Sequence, residues 1–324
     1  MPWLLKKDNP SVRYLALTEI MGLSDSHPEA AEAKAAIMER GTVAEILAKQ
    51  KKEGFWEKKE DFYVRGKYKG TVWQVIILAE LGASGNDNRI RKACEFIMDI
   101  SQDRQSGGFC YRGSPLSGGF HSCVIPCLTG NMIWSLLRFG YFGDPRVQRG
   151  IDWMTSYQRF DDGEGIAPAG WPYDKREVCW GKHTCLMGVI KSLKALSEIP
   201  EEKRSPEVTR VIEQGSEYLL RHHLFKRSHD LSKVAKPKWL KFGFPTVWDS
   251  DALDVLLLLA RLGYKDRRME EAVRLVLSKQ DDQGRWLLEN TFNGRFQVNI
   301  EQKSKPSKWV TLNALRALRT YFAP

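Results

Sequence analysis

Apolar residues recur at helical spacing through most of the chain, and the alternation of a half-buried strand is almost absent. The periodic stretches come in pairs. The first member of each pair ends near a glutamine, at Gln50, Gln102, Gln158 and Gln280. Glycines follow at Gly54, Gly107 with Gly108, Gly163 with Gly165, and Gly284. The steps between the glutamines are 52, 56 and 122 residues, and the last is about two periods. The missing copy falls near His222 and His223, where "LLRHHLF" ends a helix without such a turn. The second members align by their ends, "LAELG" (78–82), "LLRFG" (136–140), "LKALS" (193–197), "LARLG" (259–263) and "LRALR" (315–319). Ahead of the first glutamine stand "NPSVRYLALTEIMG", "PEAAEAKAAIMER" and "TVAEILAKQ". Repetition of this kind predicts about twelve helices in six hairpins, an all-α fold in a single domain over 1–324.

Two of the glutamine turns share one spacing. "QKKEGFW" (50–56) and "QDDQGRW" (280–286) both read Q-x-x-x-G-x-W. The amide can bond exposed groups at a helix end, glycine permits a tight exit, and tryptophan supplies a large surface to pack over the neighbouring pair. The motif is structural. The long connections, 103–126, 159–180, 223–247 and 283–306, all follow a first helix. In a closed ring they gather on one face, where binding residues are usually carried.

Composition narrows the class. The chain has 324 residues and 37.2 kDa, with 42% hydrophobic and 28% charged residues, the balance of a globular protein. No apolar run reaches the roughly 18 residues of a membrane span, "VLLLLA" (255–260) being too short. The N-terminal stretch lacks a signal-like apolar core and reads as part of the fold. Six cysteines are too few for a disulfide-stapled scaffold, so the cytoplasm is the expected compartment. A net charge of +10 favours anionic partners, with diphosphate esters and acidic lipid surfaces open. Nucleic acid is not indicated, for want of a zinc-finger spacing, an RNP-like strand or a basic reading helix.

The two Q-x-x-x-G-x-W turns resemble the QW repeats of the squalene cyclase and protein prenyltransferase superfamily. "KYKGTVWQVIILAELGA" and "FGFPTVWDSDALDVLLLLARLGY" resemble bacterial proteins with repeats of that type. The resemblance implies a single (α/α)6 toroid, with the helices of residues 10–40 completing the ring. Toroids of this class include terpene cyclases, prenyltransferase β-subunits, lanthipeptide cyclases and non-enzymatic thioester domains, so fold alone does not select a function. The cyclase motif D-x-D-D is absent, and Asp249-Ser-Asp251-Ala-Leu-Asp254 keeps the first two acids while displacing the third. The thioester sequence G-C-G-E-Q does not occur, and "CWGKHTC" only echoes the lanthipeptide-cyclase pairing.

Five cysteines lie between 110 and 185, together with His121 and His183. Aligning the helix ends puts Cys127, His183 and Cys185 at one level, at the start of adjacent inner helices. Zinc takes thiolate and imidazole ligands tetrahedrally. The leading set is Cys123, Cys127, Cys179 and His183, with Cys185 as the alternative fourth ligand. The other use of these cysteines is as small buried hydrophobes. Prenyltransferases, in the resemblance, hold zinc at the toroid mouth through Asp, Cys and His.

The same alignment brings Asp249 and Asp251 to the level of His183, one pair further round. Either could serve as a general acid or a metal ligand, and either could cap a helix. Asp254 interrupts the apolar "ALDVLLLLARL" and is expected to face the central cavity. Residues 221–241 carry Arg221, Lys226, Arg227, Lys233, Lys236, Lys238 and Lys241 against Asp230 alone, with His222, His223 and His229 added. Arg221, His223 and Arg227 are the phosphate-binding candidates if this stretch borders the mouth, and a solvated connection is the other reading. Trp73, Trp134, Trp180 and Trp248 stand at or near inner-helix starts, to line an apolar cavity or to fill the core.

Three functions fit. The first is an enzyme on an isoprenoid or other elongated apolar substrate, with zinc presenting a substrate thiol. The second is a metal-free cyclase that protonates through Asp251, with Asp249 and Asp254 beside it. The third is a non-catalytic toroid with structural zinc that binds a partner or lipid, membrane-surface contact included.

Overall fold

An inner helix and an outer helix of this chain carry different sequences because they meet different surroundings. The structure is a computed structural model, and it describes residues 2–163 and 165–323. The helices are α1 (Pro10–Leu15, continued as a π-helix over Ala16–Ile20), α2 (Pro28–Glu39), α3 (Thr42–Ala48), α4 (Thr71–Glu80), α5 (Asn88–Ser101), α6 (Pro126–Arg138) and α7 (Pro145–Tyr157). After them come α8 (Glu177–Trp180), α9 (Leu186–Ser197), α10 (Pro206–Arg221), α11 (Ala252–Arg261), α12 (Glu270–Ser278) and α13 (Lys308–Phe322). α4 is buried from Thr71 to Ala79 without a break, as an inner helix must be. α5 instead buries Ile90, Ala93, Cys94, Ile97 and Met98 and leaves its other face to water.

The architecture is an α/α toroid. α1 with its π-helical extension, α4, α6, α9, α11 and α13 form the inner ring, and side chains from all six meet around one axial cavity. The other long helices form the outer ring. Three two-stranded antiparallel ladders decorate the connections, Gly113–Ser114 with Gly118–Gly119, Lys226–Arg227 with Asp230–Val234, and Trp286–Leu287 with Pro306–Ser307. No helix among the described residues is long and apolar enough to cross a membrane.

The glutamine turns do two separate jobs. Gln50 donates to the Gly54 carbonyl at 3.0 Å and to the Arg89 carbonyl of α5 at 2.9 Å. Gln102 repeats this, bonding Gly107 at 2.8 Å and Arg146 of α7 at 2.7 Å. The glutamine thus links the end of one outer helix to the first turn of the next. At Gly107, φ is +83 and a Cβ would stand 2.6 Å from Arg149, so the turn abuts that next helix too closely for a side chain. Gln158 bonds its own turn and Ser192, and Gln280 is exposed, so the link is not made everywhere.

Tryptophan acts within its own pair rather than over the neighbouring one. The Trp56 indole donates to Ile46 of α3 at 2.9 Å, and its backbone N–H donates to Thr71 of α4 at 3.1 Å. Trp286 does the same with Val276 of α12 at 2.7 Å and Thr311 of α13 at 3.0 Å. The Phe109 N–H finds Thr129 of α6 at 2.9 Å, a third copy without the indole.

A second repeat begins the outer helices. Asp87, Asp144 and Asp266 each accept the backbone N–H two residues on, at 2.8 Å, and each forms an ion pair with the arginine there. Arg146 also reaches Glu95 of α5, and Arg268 reaches Glu217 of α10, both at 2.7 Å. This D-x-R unit satisfies orphan N–H groups and ties successive outer helices in one step.

Inside the ring, α6 and α9 approach most closely at Gly130, where a Cβ would lie 2.4 Å from the Lys191 carbonyl carbon. Gly188 of α9 faces Pro126 in the same way, at 2.9 Å. Gly130→Ala is expected to force these helices apart and to lower unfolding free energy by about 1–3 kcal/mol, the usual range for overpacking, as read by chemical denaturation.

Candidate functional site

The long connections do collect on one face, at the N-terminal ends of the inner helices. His121 stacks on Trp171 with ring centroids 4.1 Å apart, joining the connection before α6 to the one after α7. The connection before α11 crosses the mouth. Trp248 donates to Tyr68 Oη at 2.7 Å, and Tyr68 packs on Trp73, Phe292 and Phe296. Val247 has φ of +46, which a β-branched side chain avoids, and Asn131 of α6 donates to its carbonyl at 3.4 Å. Lys67 and Lys238 lie 4.6 and 4.8 Å from the Trp248 ring, and Arg295 lies 4.7 Å from Tyr68. Burial, Arg295 and Lys238 all push Lys67 below its ordinary value.

The cysteines divide. Cys127, Cys179 and Cys185 lie together, and burial first, then the neighbouring thiols, push Cys127 well up and Cys179 up to about 12. Cys123 lies instead beside Cys110, below the Gly118–Gly119 strand. His183 is 56% exposed and stands 3.7 Å from Asp162. Cys123 and His183 are thus drawn to other partners, and among the described residues no three His, Cys, Asp or Glu side chains converge to hold a metal ion. Of the expected set, Cys127, Cys179 and the alternative Cys185 lie together, and Cys123 and His183 stand apart from them.

The three aspartates have separate roles. Asp249 is buried and pairs with Lys238 at 2.5 Å. Asp251 caps α11, one oxygen accepting the Asp254 N–H at 2.9 Å and the other the Gly243 N–H at 2.8 Å. Burial and the charge of Asp254 push Asp251 up to about 7, against those two bonds. Asp254 alone lines the axial cavity.

Asp254 is built with one oxygen anchored. Its Oδ2 accepts Ser250 Oγ at 2.8 Å and Thr246 Oγ1 at 3.4 Å, and it lies 3.5 Å from Lys191 Nζ. Lys191 is fully buried and makes no hydrogen bond. Among the described residues Asp254 Oδ1 has no such partner. Burial raises the Asp254 carboxyl, but Lys191 and Lys194 together hold it below the ordinary carboxylate range. Burial lowers the Lys191 ammonium, with Lys194 adding repulsion and Asp254 opposing both.

Below this pair the axis opens into a cavity of about 290 Å³ at the C-terminal ends of the inner helices. Lys194 forms an ion pair with Glu80 across from α9 to α4, and its Nζ lies 4.0 Å from the Trp134 ring. Trp134 is a cavity wall, donating to Glu198 at 3.0 Å. Trp73 is core, its indole bonded to the Tyr63 carbonyl at 2.9 Å, and Trp180 is likewise buried. Arg221, His223 and Arg227 are not brought to this cavity. Arg221 and Arg227 are exposed, and His223 lies 4.0 Å from Glu271 of α12.

Comparison with known proteins adds likenesses to the toroid. No family model matches the chain, and the comparison with curated proteins gives no match. Among solved structures, an unsaturated glucuronyl hydrolase specific for heparin is 12% identical, with 97% of this chain and 85% of that one covered and a TM-score of 0.48. A protein from Actinoplanes is 16% identical, covering 97% and 90%, with a TM-score of 0.46. The type II terpene cyclase MstE from Scytonema with geranylgeranyl dihydroxybenzoate is 12% identical, covering 90% and 96%, at 0.33. At these values no residue and no reaction is carried over.

Sequence reasoning passed over Lys191, Lys194 and Glu80. The available signal was the one that marks Asp254, a charge inside a helix that has no solvent face. Because Lys191 is held below its ordinary 10.5, the folded chain binds fewer protons than the unfolded chain between the two values. Stability therefore rises with pH through that window, below 10.5. Denaturation at stepped pH should show that rise, and Lys191→Met should lack it. Lys191→Met also strands Asp254 and is expected to cost about 3–5 kcal/mol, with Lys191→Met/Asp254→Asn well short of additive.

Proposed function

We propose that the chain is a toroid enzyme that performs proton transfer on a small polar substrate held in the axial cavity, with Asp254 as general base. One observation carries the reading. Asp254 Oδ2 is held by two hydroxyls beside Lys191, while Oδ1 is left without a partner on a carboxylate that lines the cavity. Held ionised beside Lys191, with Oδ1 free, the carboxylate is available to take a proton from a substrate acidic enough to match its lowered basicity. The substrate proton passes to Oδ1, and the negative charge left on the substrate is stabilised by the Lys194 ammonium. Lys191 does not line the cavity and acts as a positioning residue, holding Asp254 charged and in place.

The walls favour polarity over an isoprenoid chain. Glu80, Lys194, Glu198 and Asp254 all line the cavity, and a long hydrocarbon would strip these groups of water without replacing it. A second reading, an elongated apolar or isoprenoid substrate taken at the opposite mouth, is favoured by the aromatic cluster of Tyr68, Trp248, Phe292 and Phe296. There Trp248 would have to leave Tyr68.

Exchange in heavy water separates the two. Purified protein incubated in D₂O with a polar metabolite extract should introduce deuterium into at least one compound, as read by mass spectrometry. Asp254→Asn should slow that labelling by about 10²-fold or more. Equal labelling by the variant, or label found only in a lipid extract, would overturn the first reading.

A further inference from the structure

The outer end of the axial cavity holds more positive charge than its own acids neutralise. Arg138 of α6, Arg261 of α11 and Arg316 of α13 line it, and the acids beside them are Glu19 and Glu198. Glu19 is shared, bonded to Arg316 and, at 2.9 Å, to Arg261. Arg316 completes its bonding at Asn313, 3.1 Å away. Arg138 is different. Its nearest acid is Glu198 at 3.6 Å, and among the described residues it makes no hydrogen bond. Glu80 and Asp254 line the same cavity but are taken by Lys194 and Lys191, so Glu19 and Glu198 are left to face three guanidinium groups, and among the described residues Arg138 makes no hydrogen bond and Arg261 bonds only Glu19. Repulsion is felt within the cluster. Burial, with Arg261 and Arg138 nearby, lowers Arg316 to about 10 despite Glu19.

Arg138 also borders a side groove of about 700 Å³ that runs between α2 and the end of α4. It is 36% exposed, so it can turn toward a ligand without leaving a packed site. Planar forks of donors facing an unfilled cavity match the oxygens of a carboxylate or a phosphate.

We propose that this end of the cavity is an oxyanion subsite, in which Arg138 and Arg261 bind the carboxylate or phosphate group of the substrate above a fixed Arg316. The proposal rests on the axial cavity being the reaction site and names its substrate class as anionic. Glu19 fixes Arg316 and leaves it a base of positive charge, Arg261 spans from Glu19 to the ligand, and Arg138 closes over it. The anion end is then held at the outer cavity while the rest of the molecule extends toward Asp254.

Calorimetric titration of the whole protein with inorganic phosphate and with succinate, at constant ionic strength, tests the subsite directly. Saturable one-site binding of either probe is expected, and the tighter of the two identifies the group. Arg138→Met and Arg261→Met should each weaken it about tenfold or more, the loss of one charge-assisted pair. Arg138→Lys should recover part of that loss. Asp254→Asn should bind the probe as the unaltered protein does while losing deuterium exchange, so failure of the base assignment leaves a different signature from failure of the subsite. Absence of saturable binding in the unaltered protein, or binding indifferent to Arg138→Met and Arg261→Met in folded variants, would overturn the proposal.

Discussion

A ring of six helices has an axis, and what fills that axis decides the rest of this protein. Side chains that point inward from α9 and α11 meet one another and the axial cavity rather than a flat partner surface. Here they are charged, and a charge in such a place must find its opposite. Lys191 lies by Asp254, Lys194 by Glu80, and Arg261 and Arg316 by Glu19. Each pair joins different helices of the inner ring, so closing the ring and pairing the charges are one event. Such pairs add little net stability over an apolar filling, but losing one partner is costly. The axis is consequently intolerant of change, and it holds charge where chemistry can use it.

The circumference obeys a different physics. Glutamine, the D-x-R unit and the tryptophan turn are local devices that satisfy backbone groups at helix ends and fix each hairpin against the next. They would work equally well in an open superhelix. Closure comes from the inside, where α13 packs against α1 and its π-helical extension and Arg316 and Arg319 bond Glu19, while Gly130 and Gly188 let α6 and α9 approach and so set the position of Lys191. Periphery supplies repetition; the axis supplies uniqueness.

This division explains what the sequence made legible. Helix pairs, turns and the face that gathers the long connections follow from periodicity and spacing, which are local. Alignment by helix ends also placed Cys127 and Cys185 at one level, because both sit at helix starts. Cys123 and His183 went elsewhere because a 3₁₀ turn and a loop carry them, and neither has a period to extrapolate. Asp254 was conspicuous as an acid in an apolar run. Lys191 in "LMGVIKSLKALS" was equally out of place, but a lysine near a helix end is ordinarily read as a cation at the negative pole. The D-x-R unit recurs at 87, 144 and 266, a local spacing as legible as the glutamine turns, and its ion pairs lie within the unit itself.

The two ends of the axis are chemically unlike, and helix polarity makes the difference meaningful. At the N-terminal mouth six sets of backbone N–H groups face outward, a natural attraction for anions, yet aromatic rings cover that mouth and cations crowd Trp248 and Tyr68. At the other end the inner helices present carbonyl groups, which repel anions and favour lysine or arginine in the last turn, where Arg138, Lys194 and Arg261 are found. If cations only balanced those poles, each would be expected to hydrogen-bond the nearby carbonyls or acids. Arg138 bonds none of them, and Arg316 is a buried cation outside the last turn of α13. Helix polarity therefore accounts for positive charge at this end without accounting for its arrangement, and the arrangement is what an anionic substrate approaching carbonyl poles would require.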